Sequence, residues 1–230
     1  IAVYPKQKDK TNPESDQFVI LDGERRWRCS ISLGLKKIPA IIVEQPDDTR
    51  NILTMFHIHN LREGWQLMPT ALKLEILMHS LGVNSERKLS ELTKLSVGQV
   101  RRCKILLSFP KKFQNLMLAP PSTRLKSDFF IELDRIRKPA NEEKFPPWIQ
   151  RGDTKCIEII LDKYLKNIIP AVTEFRKLAE VYRASIRIRK VNQFYKVFEE
   201  FLANENKGID SVYITGANFV KDINKTTRYT

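Results

Sequence analysis

Apolar residues follow two regimes along the chain. Before residue 66 they fall into short β-rich runs, Gln17–Leu21 (QFVIL) and Ile38–Glu44 (IPAIIVE). Such runs, bounded by turn residues, predict strands. Between them, Asp22-Gly23 ends the first strand, and a helix is expected from Glu24 to about Leu33, stopped by Gly34. Pro46-Asp47-Asp48 is a good helix start, since proline suits the first turn and acids favour the positive end of the dipole. The first third therefore reads β–α–β–α. Ile1-Ala2-Val3-Tyr4 already reads as strand and does not begin with Met, so sequence is expected upstream of it.

From Gln66 onward the spacing is helical. Leu67, Ala71, Leu74, Leu77 (or Met78) and Leu81 recur at three- and four-residue intervals, and Gly82 ends that helix. Ser85 is expected to cap a short helix, and Ser96 another that runs to about Ser108 before Pro110. Further helices are predicted at Lys111–Leu118, Thr123–Lys138, Thr154–Ile169, Ala171–Lys190 and Gln193–Asn204. Pro139–Asp153 holds three prolines and Gly152 and reads as a linker. The expected fold class is α+β: a small mixed N-terminal domain, then a mostly α-helical region. Its expected parts are residues 1–65, 66–138, the linker 139–153, and a helical region 154–230 of unassigned role.

Charge narrows the partner. The net charge of +13 is unevenly spread. Residues 1–66 hold ten Lys/Arg against nine Asp/Glu, residues 67–138 fourteen against six, and residues 139–230 sixteen against twelve. An excess of +8 in the middle third points to a polyanion there. No apolar run approaches the roughly 18 residues that span a bilayer, and no signal peptide is visible. Cys29, Cys103 and Cys156 form no CxxC pair, so they read as small core residues of a protein in a reducing cytosol.

Two constellations carry chemistry. The first is Gly23-Glu24-Arg25-Arg26-Trp27-Arg28-Cys29, a glycine turn opening a helix with three arginines in its first two turns. A helix start offers free N–H groups to anions, and arginine adds bidentate contacts to phosphate. Arg25 and Arg28 share a face, and Arg26 points elsewhere. The plainer reading is a surface helix with solvated arginines and Trp27 in the core.

This segment resembles the GERRxRA box of the ParB/sulfiredoxin-like superfamily, with Cys29 in place of alanine. Gly34-Leu35 and Ile38-Pro39-Ala40 resemble its continuation. In ParB proteins the box binds the triphosphate of CTP, which implies that role for Gly23, Arg25 and Arg26, with Glu24 and Arg28 beside them. ATP is the lesser candidate. Glu24 and Arg25 stand where sulfiredoxins carry reactive cysteine and histidine, so sulfinic-acid reduction is not expected. A second ParB box, ENxxR, has its counterpart in His59-Asn60-Leu61-Arg62, with the arginine one residue earlier than in the family, which adds Asn60 and Arg62 to the nucleotide candidates. Asn60 is also the candidate ligand for Mg²⁺. His59 replaces the family glutamate, and imidazole suits Mg²⁺ poorly, so at most slow CTP hydrolysis is expected. His57 and His59 alone read as polar residues at a helix end.

The second constellation runs from Leu89 to Leu107. Leu89 and Leu92 give one helix an apolar face; Ser96 caps the next, whose inner face is Val100, Cys103 and Leu107. Its outer face carries Gln99, Arg101, Arg102 and Lys104, with Gly98 leaving room for approach. This is the pattern of a helix-turn-helix, and Ser96, Val97, Gly98, Gln99, Arg101, Arg102 and Lys104 are the DNA-binding candidates. Lys94 stands where the turn usually has glycine. A helical hairpin with a basic face is the plainer reading.

This segment too resembles ParB proteins, whose helix-turn-helix ends in a phrase like Leu106-Leu107-Ser108-Phe109-Pro110. The resemblance covers roughly residues 1–137. It implies a cytoplasmic, nucleoid- or plasmid-associated homodimer that binds double-stranded DNA, gated by CTP, in plasmid or chromosome partition alongside a partition ATPase. A ParB-fold kinase or nuclease, and a DNA-binding adaptor or regulator without nucleotide, are the alternatives.

Overall fold

The computed structural model describes residues 1–6, 17–44, 47–60 and 66–213. They divide into two compact units, one of residues 1–65 and 73–100, the other of 66–72 and 101–230.

In the first unit, β1 (Ala2–Pro5) is the centre of a three-stranded sheet of order β2-β1-β3. β2 (Phe18–Asp22) pairs antiparallel with it, Val3 opposite Ile20 and Tyr4 opposite Val19. β3 is only Ile41–Ile42 and pairs parallel, Val3 opposite Ile42. The expected strand 38–44 is thus shorter, because Pro39 offers no N–H to a ladder. Helix α1 (Glu24–Ser32) lies between β2 and β3 in the chain. Helix α2 (Asp48–Asn60) starts where expected: the Asp47 carboxylate accepts the Arg50 N–H at 2.7 Å. Val3 and Phe56 are buried here, whereas Trp27, Ile31, Leu33, Ile41 and Ile42 are exposed. Trp27 is therefore not a core residue, and Cys29 is exposed as well, unlike buried Cys103 and Cys156.

Helix α3 (Leu67–Leu81) follows the predicted period at its centre, where Ala71, Leu74 and Leu77 are buried; at its ends Met68 is buried in place of half-buried Leu67, and Leu81 is exposed. It and α5 (Val97–Leu107) each contribute residues to both units. This corrects the expected boundaries. Neither helix has a breaker at the boundary, so no local signal marks it.

After α5 the described elements of the second unit are all helices: α6 (Lys111–Leu118), α7 (Ser127–Glu142), α8 (Pro146–Arg151), α9 (Asp153–Leu165), α10 (Glu174–Arg187) and α11 (Val191–Ala203). Its core is aromatic. Phe129 meets Phe130 and Phe175 edge-on, and Phe194 stacks on Phe198 with ring centroids 5.5 Å apart. Residues 139–153 are not a linker. α7 runs through Pro139, the proline pair opens α8, and Phe145 and Trp148 are fully buried. Proline is tolerated at a helix start, and the burial of these two aromatics outweighs the breaker signal.

Candidate nucleotide and nucleic-acid sites

The first predicted site is built on the end of β2. Gly23 is the N-cap of α1 with φ 95°, and a Cβ there would lie 2.7 Å from Ile1 Cγ2. Both the left-handed backbone and the close approach demand glycine. By helix geometry the N–H groups of Glu24, Arg25 and Arg26 lack an intrahelical acceptor and face outward at the positive dipole end. Two of the arginines are already held: Arg26 by Asp22 at 3.1 Å, and Arg28 by Glu24 at 2.6 Å. Arg25 is exposed and pairs with no carboxylate among the described residues. It is the cation that a phosphate would meet first.

Asn60 is the last residue of α2, and Arg62 lies outside the described residues. Among the described residues no cluster of His, Cys, Asp and Glu could hold a metal ion. The described groups fit phosphate oxygens at the start of α1 and supply no carboxylate cage for Mg²⁺.

The second site is the hairpin of α4 (Glu86–Thr93) and α5, joined by Lys94-Leu95-Ser96. Ser85 caps α4, accepting the Lys88 N–H. The turn is closed from inside. The Ser90 hydroxyl donates to the Leu95 carbonyl at 2.6 Å, the Lys94 N–H to the Ser90 carbonyl at 2.9 Å, and the Leu95 N–H to Thr93 Oγ1 at 3.3 Å. Lys94 takes φ 61°, ψ 11°, the conformation expected of it. Leu89, Thr93, Leu95 and Val100 are buried around this turn.

Ser96 and Gln99 form a reciprocal cap. The Gln99 N–H donates to Ser96 Oγ at 3.2 Å, while Gln99 Oε1 accepts the Ser96 N–H at 2.8 Å. This is a capping box, and it gives Gln99 a structural duty that its place on the outer face did not reveal. Along α5 the buried side continues through Cys103 and Leu106. Leu106 replaces the expected Leu107, which is half-buried; three-residue steps from Val100 carry the inner stripe to 106. Burial pushes the Cys103 thiol up to about 12, against the opposing pull of Arg102, as befits a thiol packed in the core.

Val97, Gly98, Gln99, Arg101 and Arg102 are exposed and Lys104 is half-buried. A Cβ on Gly98 would meet only Ser96 Oγ, at 3.9 Å. The fold has room for a side chain there, so the bare surface is open to a ligand. Arg102 is tied by Nη2 to Asp128 Oδ1 at 2.6 Å, in the first turn of α7. Asp128 carried no sequence signal of its role, whereas the Ser-x-x-Gln box before the apolar stripe marked the capping role of Gln99.

Comparison with known proteins adds to this geometry. Residues 3–61 match the family of ParB N-terminal domains. A probable plasmid-partitioning protein ParB of Deinococcus radiodurans is 34% identical over 82 residues, which are 35% of this chain and 28% of that protein. The chain thus spans little more than a quarter of that relative's length. The crystal structure of the C-terminally truncated chromosome-partitioning protein ParB from Caulobacter crescentus, complexed to the centromeric parS site, aligns at 22% identity. It covers 58% of this chain and 66% of that one, with a TM-score of 0.40. Over residues 3–61 the chain is ParB-like.

Proposed function

We propose that the chain is a ParB-like DNA-binding protein acting in plasmid or chromosome partition. In this reading α4 and α5 are a helix-turn-helix, and α5 enters the major groove of double-stranded DNA. The carrying observation is the exposed face of α5, where Gly98, Arg101 and Arg102 lie together on the most basic third of the chain. Arginine reads guanine edges and glutamine adenine edges, while Lys104 suits a phosphate. The ParB-like residues 3–61 and the plasmid-partitioning name of the Deinococcus relative support the setting.

CTP is proposed to gate this binding from the start of α1, its phosphates on the N–H groups behind Gly23 and on Arg25. Bound there, it would supply negative charge that ties α1 to whatever element closes over it. Homodimerisation, a partition ATPase as partner, Mg²⁺ as the nucleotide's companion and a nucleoid- or plasmid-associated place in the cytoplasm belong to the same proposal. One observation favours a second reading, an adaptor without nucleotide: Asp22 and Glu24 already neutralise Arg26 and Arg28.

The test is a binding titration over a random duplex library. An enriched sequence, lost in Arg101→Ala at a cost of about 1–3 kcal/mol on that sequence alone, supports the groove reading. No enriched sequence overturns it and leaves a basic helical hairpin.

A further inference from the structure

The helical second unit carries a second basic surface, distant in sequence from α5. From Val181 to Phe198 there are five cations, Arg183, Arg187, Arg189, Lys190 and Lys196, and no Asp or Glu. Arg183 and Arg187 stand one helical turn apart on α10, about 6 Å along its axis. α10 then ends at Arg187, and Arg189, at φ 55°, turns the chain into α11. Three arginines are thereby gathered at one corner, and all three are exposed.

Arg183 donates to the Ala179 carbonyl at 3.1 Å, but none of the three meets a carboxylate among the described residues, unlike other cations of this unit. Arg176 is bound by Glu132 at 2.5 Å, Lys177 by Glu174 at 2.8 Å and Lys112 by Glu158 at 2.6 Å. Arg183, Arg187 and Arg189 make no ion pair among the described residues. Along the chain the cluster is flanked by exposed Glu180, which makes no ion pair with the three, and by Glu199 and Glu200, engaged by Arg151 and Lys207. Glu143, beside α10, accepts the Tyr182 hydroxyl. An uncompensated cluster of this kind repels itself, and a polyanion relieves the repulsion.

The chemistry of the corner favours phosphate diesters. Arginine forks address phosphate oxygens bidentately, and exposed Asn192 and Gln193 on the next turn add neutral donors. A lipid surface fits poorly, because it would need an apolar face beside the charges. The apolar faces of α10 (Phe175, Leu178, Val181) and α11 (Phe194, Phe198) are spent in the core, which leaves Ile186 as a single exposed apolar side chain of α10 beside the arginines. We propose that the α10–α11 corner is a sequence-independent contact for the phosphate backbone of duplex DNA, separate from α5. The contact does not depend on α5 being a groove reader.

The experiment uses the full chain with the triple substitution R183Q/R187Q/R189Q, titrated against a random-sequence duplex over a salt series. Each lost phosphate contact removes about 0.9 from the log–log salt slope, so the slope should flatten by about 2–3 units. The same flattening is expected in an R101A/K104A background, which separates the corner from α5. Any sequence preference of the parent should survive the triple substitution. An unchanged slope in a variant that keeps its unfolding midpoint overturns the proposal. So does loss of polyglutamate binding with duplex binding intact, which would mark a surface for acidic proteins. Should the triple variant unfold, p-benzoylphenylalanine at Asn192 of the otherwise unaltered chain gives the second reading. Crosslinking to duplex supports the contact, and its absence overturns it.

Discussion

The Arg137 guanidinium clamps the Asp153 carboxylate along one edge, with Nε 3.0 Å from Oδ1 and Nη2 2.9 Å from Oδ2. Its remaining hydrogens reach back along the chain, to Ser108 Oγ and the Ser108 carbonyl, each at 3.0 Å. The ring of Phe109 lies 4.2 Å beneath it. Asn141 and the Trp148 indole N–H complete the shell around Asp153. One arginine thus ties the end of α5 to α7 and to the start of α9.

Asp153→Asn should destabilise the protein by about 3 kcal/mol, the upper scale for hydrogen bonds to a charged group that is half-buried here. For a chain of this size that is roughly 6–12 °C in unfolding midpoint. The pH dependence has a definite sign. Burial works against the Asp153 charge, but the hydrogen bonds from Arg137, Asn141 and Trp148 outweigh it and hold the carboxyl below its ordinary 3.8. Its contribution is therefore present above that value and is lost as pH falls through the lower folded one. Acid titration followed by circular dichroism should show the variant lacking that component.

Gly98→Ala separates fold from function. Alanine is the better helix former by about 0.5–1 kcal/mol, and its methyl makes only an ordinary contact with Ser96 Oγ at 3.9 Å. The variant should unfold at a higher temperature while binding duplex more weakly. Equal or tighter binding in an anisotropy titration would remove Gly98 from the interface.

Gln99→Ala should cost stability as well as sequence preference, because it opens the capping box with Ser96. A loss of about 0.5–1 kcal/mol in chemical unfolding is expected. Gln99→Glu keeps an acceptor for the Ser96 N–H and should restore the stability but not adenine recognition.

Arg25→Ala should weaken CTP by about 1.5–3 kcal/mol, the scale of a charge-assisted hydrogen bond. Arg28→Ala should do less, since Glu24 already holds that side chain. Calorimetry showing the same affinity for both variants and the parent would empty this site.

Lys163 offers a purely structural test. Its side chain is buried, and Nζ donates to the carbonyls of Asn204, Glu205 and Lys207, 4.7 Å from the centre of the Phe201 ring. Lys163→Met leaves those carbonyls unanswered and should cost about 3 kcal/mol. Amide exchange in residues 204–213 should accelerate before the rest of the unit responds.

Periodicity and punctuation alone determined most of the helices, the αL turn at Lys94, the caps at Ser85 and Ser96, and the glycine turn that opens α1. These are local matters, decided by φ preferences and by side chains reaching a few residues along the chain. The basic face of α5 was legible for the same reason, since spacing within one helix dictates which residues share a side. Tertiary structure decided the rest. Pro139 and Pro146 carried the local signature of a linker, yet Phe145 and Trp148 buried themselves and made that segment core. Cys29 and Trp27 had the composition of core residues and are exposed, because burial depends on what packs above a helix. The grip of Asp128 on Arg102 and of Asp153 on Arg137 joins residues 26 and 16 positions apart. Charge pairing at such separation has no periodic trace in sequence; only the packed helices bring the partners within hydrogen-bonding distance.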